Sequence, residues 1–183
     1  IAHARDEARV KPTLDAITRA GGKAEPAAFD LASLAATRAG AAELASRHKA
    51  IHGLVNNAGF WAGAREVTTE GHERTWAINV LAPFALWQGL AEPLRAGNGR
   101  VVNVASVQHE KGRIHWDDHG LAQGFGAQKA YRQSKLALVM LTNELARREK
   151  DLRANAVHPG VIATDLFRNM PWIVGVCIGA FCP

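Results

Sequence analysis

One tyrosine and two cysteines are all that 183 residues contain of those types, and each scarcity closes off some functions. Cys177 and Cys182 lie close together near the end, with no second Cys or His pair beside them. That spacing matches no zinc template and two thiols make no disulfide framework, so a reducing, cytoplasmic setting is expected and a metal is not. Long uncharged runs are missing too. PWIVGVCIGAFCP, at 171–183, is apolar but too short to span a bilayer. It reads as the start of a substrate-covering segment, with a membrane-surface anchor as the alternative. No secretory leader is visible, although the chain starts at Ile1 rather than Met. Basic runs are absent as well. The 22 Lys and Arg against 17 Asp and Glu leave a net charge of +5, but the cations stand singly among acids without interleaved aromatics. No nucleic-acid partner is expected from that pattern, whereas a basic surface would suit a phosphorylated cofactor.

With 48% hydrophobic and 21% charged residues, and no linker, repeat or low-complexity tract, the chain reads as one globular domain over 1–183. Segments of strand and helix character alternate along it. IAHA is a short strand tail, after which Asp6 caps a helix running to Ala20 and stopped by Gly21 and Gly22. KAEPAAFDL is extended, and ASLAATRAGAAELASRHK is an alanine-rich helix. AIHGLVNNAG is an apolar strand breaking into a polar turn. EVTTEGHERTWAINVLAPFALWQGLAEPLRAG carries helical patterning in two pieces, with Pro83 opening the second. RVVNVAS is a β-branched strand, AYRQSKLALVMLTNELARREK a strong helix, and LRANAVHPG a strand ending in a Pro-Gly turn. Short apolar strands alternating with long helices predict βαβ units: an α/β, Rossmann-like, doubly wound parallel sheet with helices on both faces.

In such sheets ligands sit at the C-terminal strand ends. Here those ends carry Arg5, Asp30, Asn56 to Gly59, Ser106 and His158 to Gly160. NNAG at 56–59, Ser106 after VVNVA, YRQSK at 131–135 and HPGVIAT at 158–164 occur in this order. Together they resemble the short-chain dehydrogenase/reductase family, whose Rossmann sheet binds NAD or NADP. The resemblance covers essentially the whole chain. It implies an alcohol/carbonyl oxidoreductase in which Tyr131 is the general acid/base, Lys135 its activator, Ser106 the partner of the carbonyl oxygen, and Asn79 the support for a proton-relay water. Lys135 and Tyr131 would also touch the cofactor, along with Asn57, Ala58, Gly59, Pro159, Gly160, Ile162 and Thr164.

Elementary electrostatics supports the Tyr131–Lys135 pair independently. A free tyrosine titrates near 10, so working near neutrality needs roughly three units, about 4 kcal/mol. One ammonium about 4 Å away supplies about that much at an effective dielectric near 20. Positions i and i+4 share a helix face, which provides such a separation. Each residue keeps a plainer alternative: Ser106 a small residue ending a strand, Asn79 a helix-breaking amide, Asn56 and Asn57 turn residues, Thr164 a helix cap.

Cofactor preference rests on Arg5. An acid at that strand end would bind a ribose 2′-hydroxyl, whereas arginine suits the 2′-phosphate of NADP. The plainer reading of Arg5 is a solvated charge, and NAD stays as the alternative cofactor. Asp30, before Leu31, resembles the residue that meets the adenine amine. Two departures stand out. The glycine-rich TGxxxGxG turn is absent, because the sequence begins near the family's second strand, and the end at Pro183 lacks the family's last strand. Both suggest a fragment, whose sheet would fall into two halves with unpaired edges across a gap. The second departure is the long stretch QHEKGRIHWDDHGLAQGFGAQKA between Ser106 and Tyr131, which resembles the retinol-dehydrogenase-like subgroup. Its His109, His115, His119, Asp117 and Asp118 fit no metal-ligand template, and a solvated loop is expected there. The expected partners are a small alcohol or carbonyl substrate and, in solution, a second copy of the chain. A cofactor-binding regulator without turnover and an inert truncated product are the rival readings.

Overall fold

The computed structural model describes residues 1–160. Ile162, Thr164 and the apolar stretch with Cys177 and Cys182 lie outside the described residues. The elements run β1 (Ala2–Ala4), α1 (Glu7–Arg19), β2 (Pro26–Ala28), α2 (Leu34–Arg47), β3 (Gly53–Asn56), α3 (Arg74–Trp76), a π-turn (Ala77–Leu81), α4 (Ala82–Ala96), β4 (Arg100–Val104), a 3₁₀ turn (Val107–Lys111), α5 (Ala127–Arg148) and β5 (Arg153–Val157). Local chemistry accounts for the boundaries. Asp6 accepts from Arg9 N at 2.9 Å and starts α1, and Ser33 accepts from Ala36 N and starts α2. α1 ends before Gly21, whose φ of 79° is the left-handed stop that glycine allows.

Among the described residues the named strands pair in parallel and form two sheets, β1–β2 and β3–β4–β5. This is the α/β fold expected, divided where the sequence places the gap, between β1 and β3. Alternation along each strand then decides what is covered. Leu54, Val101 and Ala154 face a core built with Ala41, Leu44, Leu90, Leu94, Leu145 and Leu152 from α2, α4, α5 and the turn before β5. The alternating Val55 is 62% exposed and Val157 is also exposed. That face of β3–β4–β5 therefore carries none of the described helices, and α1 packs instead against β1 and β2. Helices α2 and α4 approach closely because Gly89 faces Ala41, where a Cβ would come within 2.6 Å.

The helix expected from Glu66 onward is corrected. Residues 66–73 form a tight antiparallel turn closed by a Val67–Glu73 bridge, with Glu66 paired to Arg74. Helix begins only after Glu73, whose carboxylate accepts from Thr75 N and Trp76 N. Pro83 does stand at the opening of α4, directly after the π-turn.

Candidate active site

Helix α5 delivers the central groups. Tyr131, Ser134, Lys135, Leu138, Thr142 and Leu145 are buried at i, i+3, i+4, i+7, i+11 and i+14, a single stripe of a 3.6-residue helix laid on β4 and the π-turn. Tyr131 and Lys135 thus share the face that meets the C-terminal end of β4, where Ser106 stands. The hydroxyl of Ser106 stands near enough to the phenol of Tyr131 to favour its ionised form. Ser106 Oγ also accepts from Gln108 N at 3.3 Å, so its own proton is free to be donated. The Lys135 ammonium donates to Val104 O at 2.7 Å and lies 5.6 Å from the centre of the Tyr131 ring. Trp61 covers that ring, with centroids 4.6 Å apart.

The expected electrostatics are corrected in one respect. Burial pushes the Tyr131 phenol up, and the Ser106 hydroxyl only partly offsets this. Burial also pushes Lys135 down, to about 8. Both groups occupy a site poor in water, where a charge on either is disfavoured. The phenol at neutral pH is therefore the protonated acid, poised as a donor.

Asn79 stands in the π-turn, which packs against α5. Its amide is buried within the π-turn, where Oδ1 accepts from Phe60 N at 2.8 Å and Nδ2 donates to Phe60 O and Ser134 Oγ, both at 3.0 Å. Both N–H donors of the amide have protein partners, so the side chain ties the loop after β3 to α5. Behind it runs a second buried chain that sequence reasoning missed. Asn56 Nδ2 donates to Asn103 Oδ1 at 2.7 Å, Asn103 Nδ2 to Thr142 Oγ1 at 2.8 Å, and Thr142 to Leu138 O at 2.7 Å. It fixes β3, β4 and α5 in register, and its only signal in the sequence is a polar residue inside the β-branched run RVVNV.

A cleft of about 450 Å³ opens at the ends of β1, β2 and β3, lined by Arg5, Asp30, Leu31, Ala58 and Gly59. All five are residues the sequence singled out for the cofactor. His3, Ala4, Arg9, Phe29, Phe60, Arg74 and Ile78 complete it unforeseen. Asn57 is exposed in the turn and does not line the cleft. Pro159 and Gly160 follow β5, with Gly160 at a φ of 87°. Arg5 is exposed and its acidic neighbour Asp6 stands at 3.9 Å, which leaves the guanidinium available to an anion. Asp30 Oδ1 accepts from Ala32 N at 2.9 Å. His3 stacks on Phe29 with centroids 4.3 Å apart, and burial lowers its pKa.

The stretch after Ser106 is pinned rather than solvated throughout. Gln133 Oε1 accepts from His115 N at 2.8 Å and Nε2 donates to His119 O at 2.7 Å, while Leu121 is buried. Several of its polar groups have protein partners. The His109 ring bonds Ser106 O at 2.6 Å, Asp118 accepts from Ala122 N and Gln123 N, and His119 lies against Trp76. Among the described residues no helix is long and apolar enough to cross a membrane.

Comparison with known proteins agrees with this layout. The family model for short chain dehydrogenases matches residues 1–171. Human (Homo sapiens) retinol dehydrogenase 13 is 37% identical over 145 residues, 77% of this chain and 44% of that protein. Mouse (Mus musculus) polyprenol dehydrogenase is 37% identical over 155 residues, 80% of this chain and 46% of that protein. The chain thus spans about half the length of these curated relatives. Among solved structures, a gluconate 5-dehydrogenase from Burkholderia cenocepacia J2315, in complex with NADP and tartrate, aligns with a TM-score of 0.68. It shares 27% identity over 91% of this chain and 63% of that one.

Proposed function

The chain belongs to the short-chain dehydrogenase family, and from that premise we propose that it serves an NADP-preferring oxidoreductase interconverting an alcohol and an aldehyde or ketone. The observation that carries this reading is the buried Tyr131–Lys135 pair, one helical turn apart with the ammonium 5.6 Å from the phenol ring, facing the end of β4 where Ser106 stands. Tyr131 is the general acid in the reductive direction and the base in the oxidative one. Ser106 offers a second O–H beside it, and two convergent donors suit the oxygen of a carbonyl as negative charge builds there. A serine hydroxyl is too weak an acid to give up its proton, so the transfer belongs to the phenol. Lys135, charged below about 8, stabilises the phenolate that remains. Asn79 is a positioning residue for this machinery, through Ser134 and Phe60.

The residues present fit a nicotinamide dinucleotide. Arg5, exposed and 3.9 Å from Asp6, offers a guanidinium to a 2′-phosphate, Asp30 offers a carboxylate to a base amine, and Leu31, Ala58 and Gly59 line the same cleft. Arg9 and Arg74 add positive charge to it. When bound, the cofactor supplies or accepts the hydride. NADP in complex with a relative of the same fold supports this assignment.

The test is Tyr131→Phe in the intact protein, followed with NADPH and a panel of aldehydes and ketones. The ring and its contact with Trp61 persist while the acid is lost. Turnover falls by about 10²–10⁴-fold and NADPH affinity, read by fluorescence titration, stays close to that of the parent. Near-normal turnover in the variant would return Tyr131 to a packing role and remove it as the proton donor.

A further inference from the structure

Gln133 sits two positions from Tyr131 and two from Lys135, so it falls on the opposite flank of α5 from the catalytic stripe. That flank would be open to water unless something covered it, yet Gln133 is 1% exposed. The cover is the stretch between Ser106 and α5. Both polar ends of the Gln133 amide are spent on it, accepting from His115 N and donating to His119 O. A buried amide whose partners are two backbone groups four residues apart fixes position more than it adds stability. Beside it, Arg132 Nε donates to Gln108 Oε1 at 2.9 Å. The stretch then continues around the helix end. Gly120 O accepts from Arg65 Nε at 3.1 Å, and the next residue, Leu121, is 1% exposed with a φ of 47°. A left-handed leucine is costly, so its surroundings hold it there. Arg65 belongs to the loop after β3, the same loop that lays Trp61 over the Tyr131 ring.

We propose that Gln133 is a positioning residue that seats the 107–126 stretch as a strap from α5 to the loop carrying Trp61, setting the width of the opening beside Tyr131 and so the size of carbonyl substrate admitted. The inference deepens the reading of Tyr131 as proton donor and rests on it for the location of the substrate. Carboxylate at position 133 can accept from His115 N but cannot donate to His119 O, which makes Gln133→Glu a selective break of half the clamp.

The experiment compares kcat/KM for a short straight-chain aldehyde and a bulky polycyclic aldehyde in the intact parent, Gln133→Ala and Gln133→Glu. It also follows tryptic cleavage after the exposed Arg113 at pH 8. With the strap released, the preference between the two substrates, whichever way it runs, collapses toward unity by about tenfold, and cleavage after Arg113 accelerates by a similar factor. In Gln133→Glu the parental preference returns at lower pH, where a protonated carboxyl both donates and accepts. Should Gln133→Ala fail to fold, the Glu variant decides alone. Unchanged preference and unchanged cleavage in Gln133→Glu overturn the strap. Tyr131→Phe, measured alongside, keeps the two claims separate: its loss of turnover leaves the proton-donor reading standing whatever Gln133 does. Cleavage after Arg113 judges the strap without reference to turnover.

Discussion

Lys135 is 3% exposed and its amine is pushed down to about 8 by burial, against an ordinary value of 10.5. Holding a charge there costs the fold stability. Below about pH 8 both folded and unfolded chains carry the proton, and the folded state bears the full desolvation. Between about 8 and 10.5 the unfolded chain binds a proton that the folded one does not, so stability from this group rises with pH. The interval corresponds to about 3 kcal/mol as an upper bound. Lys135→Met removes the charge at similar volume but leaves Val104 O without its donor, a fixed loss of about 1–3 kcal/mol. The pH-dependent part is separable from that loss. Relative to the parent, urea denaturation should find the variant up to about 3 kcal/mol better placed at pH 7 than at pH 10.5. A difference independent of pH would show that the lysine is not desolvated. In the parent, carbonyl reduction should decline as pH rises through about 8, since the neutral amine no longer stabilises the phenolate. The group that destabilises the fold is the one the proposed chemistry uses.

Between helices, the close approach of α2 and α4 depends on Gly89. On propensity alone Gly89→Ala within α4 should stabilise by about 1 kcal/mol. The new methyl, however, would meet the Ala41 Cβ at 2.6 Å, and Ala41 is fully buried with no side-chain freedom to yield. Overpacking of this kind costs about 1–3 kcal/mol, so the clash outweighs the propensity. Gly89→Ala should lower stability by about 1 kcal/mol in a urea titration, and an increase would show that the two helices slide apart freely. The π-turn at Ala77–Leu81 has a comparable role in the next layer. It widens the helix where Asn79 must reach both Phe60 and Ser134, a position at which such turns commonly serve function. The pattern WAINV gave the residue but not the turn, because a periodicity of 3.6 cannot register one extra residue. Residues 66–73 misled for a related reason. Their helix-compatible composition is overridden by the Glu66–Arg74 pair and the bridge across Thr68–Gly71.

Across the whole molecule, the order of strands and helices was legible because β-branched runs and alanine-rich or amphipathic helices differ plainly in period. The cleft was legible in part. Arg5, Asp30, Leu31, Ala58 and Gly59 lie at strand ends, where an open parallel sheet puts its ligands, whereas His3, Arg9, Phe60 and Arg74 reach it through tertiary placement that spacing does not encode. The sign of the Tyr131 shift was also beyond the sequence, since i and i+4 spacing gives proximity but not burial. The charge of the cleft leads to the last prediction. Arg5 is available at its mouth, with Arg9 and Arg74 lining the same space and Asp30 facing them. A guanidinium gives a 2′-phosphate a paired, charge-assisted contact that NAD, with a hydroxyl there, has no counterpart for. Such bonds are worth about 1.5–3 kcal/mol, roughly 10–100-fold in affinity. Replacing the cation by an acid also turns attraction for the phosphate into repulsion and offers an acceptor to the ribose hydroxyl. Arg5→Asp in the intact protein should therefore weaken NADPH by about 100-fold while changing NADH by less than about tenfold, read by isothermal titration with each cofactor. Because the phosphate term is electrostatic, the parent's advantage for NADPH over NADH should also shrink as salt is raised. Equal affinity of the parent for the two cofactors at low salt would place Arg5 among the solvated surface charges and remove the NADP preference from the proposal.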